Sequence, residues 1–237
     1  MSLLTVAQAV AEEVGLPAPS AIVGSSNKTA KQLYRQINRA GKRLAKRNWS
    51  VLQKENTFST VASTAYYDLP SDYARMLDLT AWDRTSYWQL RGPLGAREWQ
   101  VKKSALVASA TLRSNFRIKP LTRVNKFYVD PTPTSVVSMV FEYASDQWIK
   151  NAANDTGKSA YALDTDISII DEELLELDVI WRFLRRKGFS YDEEYNEADG
   201  AIARAFAEDA KPGVLDFGPP VPALAERLNL PEGNFTL

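Results

Sequence analysis

The sequence predicts an α+β fold: a discontinuous helical bundle, two helices from each end of the chain, with an antiparallel β domain inserted between them and an extended C-terminal tail. Three observations predict it. Apolar residues recur with a 3.6-residue period over residues 3–14 and 29–47, and again after residue 168. Between Phe58 and Trp148 the pattern changes to short aromatic and β-branched runs bounded by Pro, Asp, Asn and Thr. The last 26 residues are rich in Pro and Gly and too short for a core of their own. The boundaries that follow are 1–56 with 149–211 for the bundle, 57–148 for the inserted domain and 212–237 for the tail.

The first helix places Leu3, Leu4, Ala7, Val10, Ala11 and Val14 on one side, with Gly15 as its C-terminal cap and "GLPAPS" as a loop. In the second, Leu33, Ile37, Ala40, Gly41 and Leu44 face inward. "TFSTV", "AYYDLP", "LDLTAW", "YWQL", "NFRIKP", "KFYVDPTP" and "SVVSMVFEYAS" read as strands. "PLGAREWQVKK" among them reads as a short helix with Pro93 near its first turn. The third bundle helix takes Ser168 as its cap, holds Asp171, Glu172 and Glu173 in its first turn and Arg182, Arg185, Arg186 and Lys187 in its last, and stops at Gly188. Acids first and bases last is the order that the helix dipole favours. Ile170, Leu174, Leu177, Trp181 and Leu184 form its expected buried stripe. Ser190 and Glu193 suit a capping box for a fourth helix reaching about Ala210, with Tyr195, Ala198, Ile202 and Phe206 on one face.

Composition narrows the chemistry. The 237 residues include no Cys and no His, which removes disulfides, thiolate nucleophiles, zinc clusters and the usual proton shuttle near neutral pH. Carboxylate or Ser/Lys chemistry remains, but the expectation is a protein without enzymatic activity, catalytic residues, cofactor or metal. No apolar run approaches the roughly 18 residues of a membrane span. Glu12 and Glu13 stand where a secretory leader would be apolar, so synthesis in the cytoplasm is expected. Net charge is zero, with 29 acidic and 29 basic residues, so any affinity for nucleic acid has to be local.

Five local features carry a functional reading. "AANDTGKS" fits the loose phosphate-loop pattern [AG]-x-x-x-x-G-K-[ST]. A true phosphate loop joins a buried strand directly to a helix N-terminus; here the next helix begins about nine residues too late and acids crowd the approach. The stretch therefore reads as a polar linker. "DTD" at 164–166 has carboxylates spaced as in calcium loops but lacks the other ligands, and reads as a helix-entry turn. Trp82, Tyr87, Trp88 and Trp99 suit either a base-stacking platform or, at strand spacing, a core or interface.

The fourth feature is charge. Residues 28–54 hold nine bases and no acid, whereas residues 164–178 hold seven acids and no base, and residues 192–199 five more acids. The basic helix, with Arg35, Arg39, Lys42, Arg43 and Lys46, is a subunit-interface or DNA-facing surface. Asp171, Glu172, Glu173 and Glu176 form its complementary acidic helix, and pairing within the bundle or with a neighbour is favoured over DNA contact. The fifth is the tail, whose Val214, Leu215, Phe217, Leu224 and Leu228 are anchors for docking on another surface or on the bundle itself.

Taken in order, "GLPAPSAIVGSSNKTAKQL", "NRAGKRLAKRNWSVLQKENTF", "YYDLPSDYARM", "GPLGAREWQ", "FEYASDQWI" and "LDTDISIIDEELLELDVIWRFLRRKGFSYDEE" resemble the head-to-tail adaptor (connector) proteins of tailed bacteriophages, the type called tail tubular protein A in short-tailed phages. The likeness covers residues 3–210 and lies in many weak matches in the right order. It implies a non-enzymatic virion protein in the neck, a homo-oligomer of about twelve copies in a closed ring, bound to the portal protein on one side and to a downstream tail or nozzle protein on the other. Packaged double-stranded DNA would pass through the lumen without sequence specificity and without contact to any membrane. The alternative is a DNA-binding module using the basic helix 28–47.

Overall fold

The computed structural model describes residues 2–104 and 114–209. In chain order the helices are α1 (Leu3–Glu13), α2 (Lys28–Leu44), α3 (Ala96–Ser104), α4 (Glu172–Lys187) and α5 (Asp192–Asp209). The strands are β1 (Gln53–Ser59), β2 (Tyr66–Asp68), β3 (Tyr73–Met76), β4 (Trp82–Asp83), β5 (Trp88–Gln89), β6 (Asn115–Leu121), β7 (Val124–Asp130), β8 (Ser138–Ser145), β9 (Ile149–Lys150), β10 (Gly157–Lys158) and β11 (Ile167–Ser168). Apart from α3, which lies between β5 and β6, the helices stand at the two ends of the described chain and antiparallel sheets between them, the mixed α+β class the pattern calls for. The described residues divide into two units, 2–53 with 144–209, and 54–143.

In the helical unit, α4 packs against α1, α2 and α5 over one apolar core. Three of the unit's four helices begin at a side chain that accepts a backbone N–H left over by the first turn: Ser2 for α1, Asn27 for α2 and Asp171 for α4. Ser168, expected to cap α4, is spent elsewhere. It lies in β11 and its hydroxyl donates to the Ile170 carbonyl at 2.7 Å. α2 stops at Leu44, about a turn earlier than its charge run suggests, because the Trp49 indole N–H takes the Leu44 carbonyl at 2.9 Å and the chain closes in i→i−3 turns. Gly188 ends α4 in the left-handed conformation at φ 80°, where a side chain would be strained.

The buried face of α4 is wider than a simple stripe. Leu174, Leu175, Asp178, Val179, Trp181 and Phe183 are buried, while Leu177 and Leu184 are only half-buried. A helix touched by three others needs apolar groups around much of its circumference. α5 is the opposite case, burying only Ala198 and Ile202 of its 18 residues. Between β8 and α4 the chain forms a small ladder in the order β10-β9-β11. α2 clamps the turn within it: the Tyr34 hydroxyl donates to the Tyr161 carbonyl at 2.7 Å, and Asn38 Oδ1 accepts the Tyr161 N–H at 3.0 Å.

In the β unit, β1-β8-β4-β5, with β3 also on β8, form one sheet and β2-β7-β6 another. Between them Phe116, Phe127 and Phe141 stack in a column, with centroids 4.9 and 5.4 Å apart and ring planes 8° and 5° from parallel. β6 and β7 are joined by Thr122–Arg123, both at positive φ, the two-residue turn whose twist matches a hairpin. α3 begins at Ala96, so Pro93 precedes the helix instead of standing in its first turn. The Glu98 carboxylate accepts the Gly95 N–H at 2.9 Å and so serves the helix start.

Candidate functional site

The phosphate-loop lookalike does structural work. Gly157 and Lys158 pair antiparallel with β9, and no helix follows them directly. Lys158 Nζ lies 2.6 Å from Asp166 Oδ1, and the other oxygen of that fully buried carboxylate accepts the N–H groups of Ala162 and Leu163 at 2.8 and 2.9 Å. Burial by itself would raise the Asp166 pKa; the Lys158 ammonium and the two amides outweigh it and hold the group below the usual carboxylate range. Lys158 is thus occupied with neutralising a buried acid, and Gly157–Lys158 form a ladder strand where a polar linker was expected.

The acids of "DTD" are held the same way. Asp164 accepts the N–H groups of Ile22 and Val23, at 3.1 and 2.8 Å, and so fixes the loop that leads into α2. Both carboxylates therefore face protein donors, and among the described residues no group of three or more acidic side chains is arranged to hold a metal ion. Of the four aromatics, Trp99 is buried edge-on against Tyr128 and Trp82 is half-buried in β4, leaving Tyr87 and Trp88 exposed. In the β unit a groove of about 990 Å³ is lined by Leu79, Leu90, Leu94 and Val101 with Arg91 and Arg97. Glu98 and Lys102 are its other charged side chains, and among the described residues its lining includes no Ser, Thr or Tyr.

What remains is charge, and the structure splits the basic helix in two. Arg43 turns inward: its guanidinium lies 3.3 Å from Asp178 Oδ1 and 3.7 Å from Asp199 Oδ1. Asp178 is fully buried in α4 and also accepts the Trp181 indole N–H at 2.9 Å and Arg182 Nε at 2.8 Å. A carboxylate in that position needs its cations, since an unpaired buried charge is costly. Arg47 is half-buried with its guanidinium 5.4 Å from the Phe206 ring. Arg35, Arg39, Lys42 and Lys46, with Lys28 and Lys31, are exposed. None of these six pairs with a carboxylate among the described residues. The spacing of Lys28, Lys31, Arg35, Arg39 and Lys42 places them on one outward stripe of α2, and Lys46 lies just past its end.

The acids expected to complement them lie at the start of α4. Asp171 caps the helix and is exposed, as is Glu173; Glu172 and Glu176 are half-buried. Glu176 Oε1 is buried without a hydrogen-bond partner. Burial, with Glu172 and Glu173 close by, pushes its pKa above the usual carboxylate value. A second acidic surface runs along α5, where Asp192, Glu193, Glu197, Asp199 and Glu208 are exposed. The sequence signal for it was the five acids of residues 192–199, followed by Gly200, Ala203 and Ala207, which are exposed. The anchors Val214, Leu215, Phe217, Leu224 and Leu228 lie outside the described residues.

The profile of one protein family, described as SU10 adaptor protein, matches residues 1–214. No curated protein matches the chain.

Proposed function

The chain belongs to the SU10 adaptor protein family, and on that premise we propose that it is a structural, non-enzymatic component of a bacteriophage virion that joins head to tail. It assembles as a ring of about twelve copies in the neck, between the portal and a downstream tail or nozzle protein, and packaged DNA passes through its lumen. The family match carries this reading. The charge distribution supports it: a ring closes through two different faces of each subunit, and a basic face with no carboxylate partner among the described residues suits one side of such a contact. Zero net charge suits a conduit, because strong attraction to phosphates would retain DNA that has to leave.

The test is assembly. The purified chain is expected to be monomeric or weakly associated by itself and to form rings, visible by electron microscopy, when mixed with its portal. A monomer that ignores the portal, or a mature particle lacking the chain, overturns the reading.

The exposed stripe of α2 also supports a second reading, a DNA-binding module. Micromolar or tighter binding to duplex at moderate salt, lost in Arg35→Glu with Arg39→Glu, would favour it. Each lost phosphate contact would reduce the salt slope by about 0.9.

A further inference from the structure

We propose that the outward basic stripe of α2 docks on the outward face of α5 of a second copy, and that this is the contact by which neighbouring subunits are joined. The proposal rests on the ring reading above and specifies its interface.

The stripe consists of Lys28, Lys31, Arg35, Arg39 and Lys42, exposed along a helix of 17 residues, with Lys46 exposed just past its end and Gln32 the exposed uncharged residue beside them. Long flexible cations of one sign, held side by side without counter-charges, repel one another and gain from an acidic surface of matching length. The same chain carries such a surface. α5 is 18 residues long, and Asn196, Gly200, Ala203 and Ala207 follow one another along its solvent side. Glu193, Glu197 and Glu208 flank that line on one side and Asp192 and Asp199 on the other, with Arg204 the single exposed base.

The two faces complement each other in shape as well as sign. Arg and Lys stems can lie along the small residues, with their cationic heads reaching carboxylates on both flanks. Asp199 is already shared with Arg43 of its own chain, so the remaining four acids are the ones available. The start of α4 is a weaker match, since only Asp171 and Glu173 are exposed there and they span less than one turn. Because α2 and α5 are different faces, a contact of one with the other leaves a free α2 and a free α5 at the ends of the pair. This is the condition for a ring or filament to grow.

The chain has no Cys, so single cysteines report position without background. Full-length Arg39→Cys and Ala203→Cys proteins, assembled together with the portal and treated with a short bismaleimide, should yield a covalent dimer that neither protein yields when assembled alone. Arg35→Glu with Arg39→Glu, and separately Glu193→Lys with Glu197→Lys, should each abolish rings, and mixing the two variants should restore alternating pairs. Rings that form with unchanged yield in both reversal variants, or that cross-link equally without mixing, overturn the contact and leave the ring reading standing. A wild-type chain that never multimerises overturns both. Reversal variants that lose duplex binding but keep their rings would make the stripe a nucleic-acid surface instead.

Discussion

Gly41 and Trp148 meet across the core of the helical unit. A Cβ built on Gly41 would stand 2.0 Å from Cη2 of the indole and 2.1 Å from Cζ3. Glycine inside a helix ordinarily costs about 1 kcal/mol relative to alanine, so the substitution Gly41→Ala would be stabilising in an open helix. Here the ring is pinned, its N–H donating to the Ser159 carbonyl at 3.0 Å and its edge packed on Tyr161. Gly41→Ala is therefore expected to lower stability by about 1–3 kcal/mol through overpacking. Trp148→Phe in the same chain should recover part of that loss. A rise in melting temperature for Gly41→Ala alone would refute the contact.

The Asp178 cluster should respond unequally to loss of its members. Asp178→Ala strips the Trp181 N–H and Arg182 of their acceptor and leaves Arg43 only Asp199 at 3.7 Å, with an expected cost of about 3 kcal/mol. Arg43→Ala leaves Arg182 in place at 2.8 Å and should cost less than half as much. Denaturant titration of the two variants decides the order. Equal effects would mean that Arg43 carries the pairing.

Lys158→Ala should destabilise the protein at neutral pH by about 3 kcal/mol, because Asp166 is left buried without its cation. The sign of the pH dependence follows from the depressed Asp166 pKa. In the wild type its contribution is present above the ordinary value of 3.8 and is lost as pH falls through the folded value. Without Lys158 only the two amides oppose the burial effect and the carboxyl takes up a proton more readily, so the gap between variant and wild type should narrow on acidification. Magnesium-ATP should shift the melting temperature of neither protein. A nucleotide-dependent shift abolished by the substitution would restore the phosphate-loop reading.

Glu176 should behave in the opposite sense. Its pKa is raised, chiefly by burial, so its stabilising form is the protonated one. That contribution is complete below the ordinary value of 4.5 and is lost as pH rises through the folded value. Glu176→Gln mimics the protonated group. It should raise the melting temperature at pH 7 and have little effect near pH 4. A substitution that is destabilising at pH 7 would mean that the carboxylate has a counter-ion.

The left-handed stop at Gly188, the charge order of α4 and most strands of the β unit were legible because each is encoded within a few residues, as a glycine, a dipole-matched sequence of charges or an aromatic run; β3 (Tyr73–Met76) was not among the expected runs. β9, β10 and β11 were not legible, since a strand of two residues has no period to detect. The choice of Asp171 over Ser168 as the cap of α4 was also hidden. Both are good capping residues, and only the ladder shows that the Ser168 hydroxyl is already committed. The same limit applied to Leu175, Val179 and Phe183, which fall outside a single stripe and are buried because three helices surround α4.

By itself the sequence determined which chemistry was missing, where helical and strand periods change, and that charge of each sign is concentrated in separate helices. All of these are properties of composition or of neighbours along the chain. Only the tertiary structure decided that Arg43 turns inward while Arg39, one turn earlier in the same basic run, stays in solvent. The reason is long-range. A carboxylate buried at Asp178 requires a cation, and which of several equivalent arginines supplies it depends on how α4 lies against α2, a relation between residues 135 positions apart that no local pattern contains.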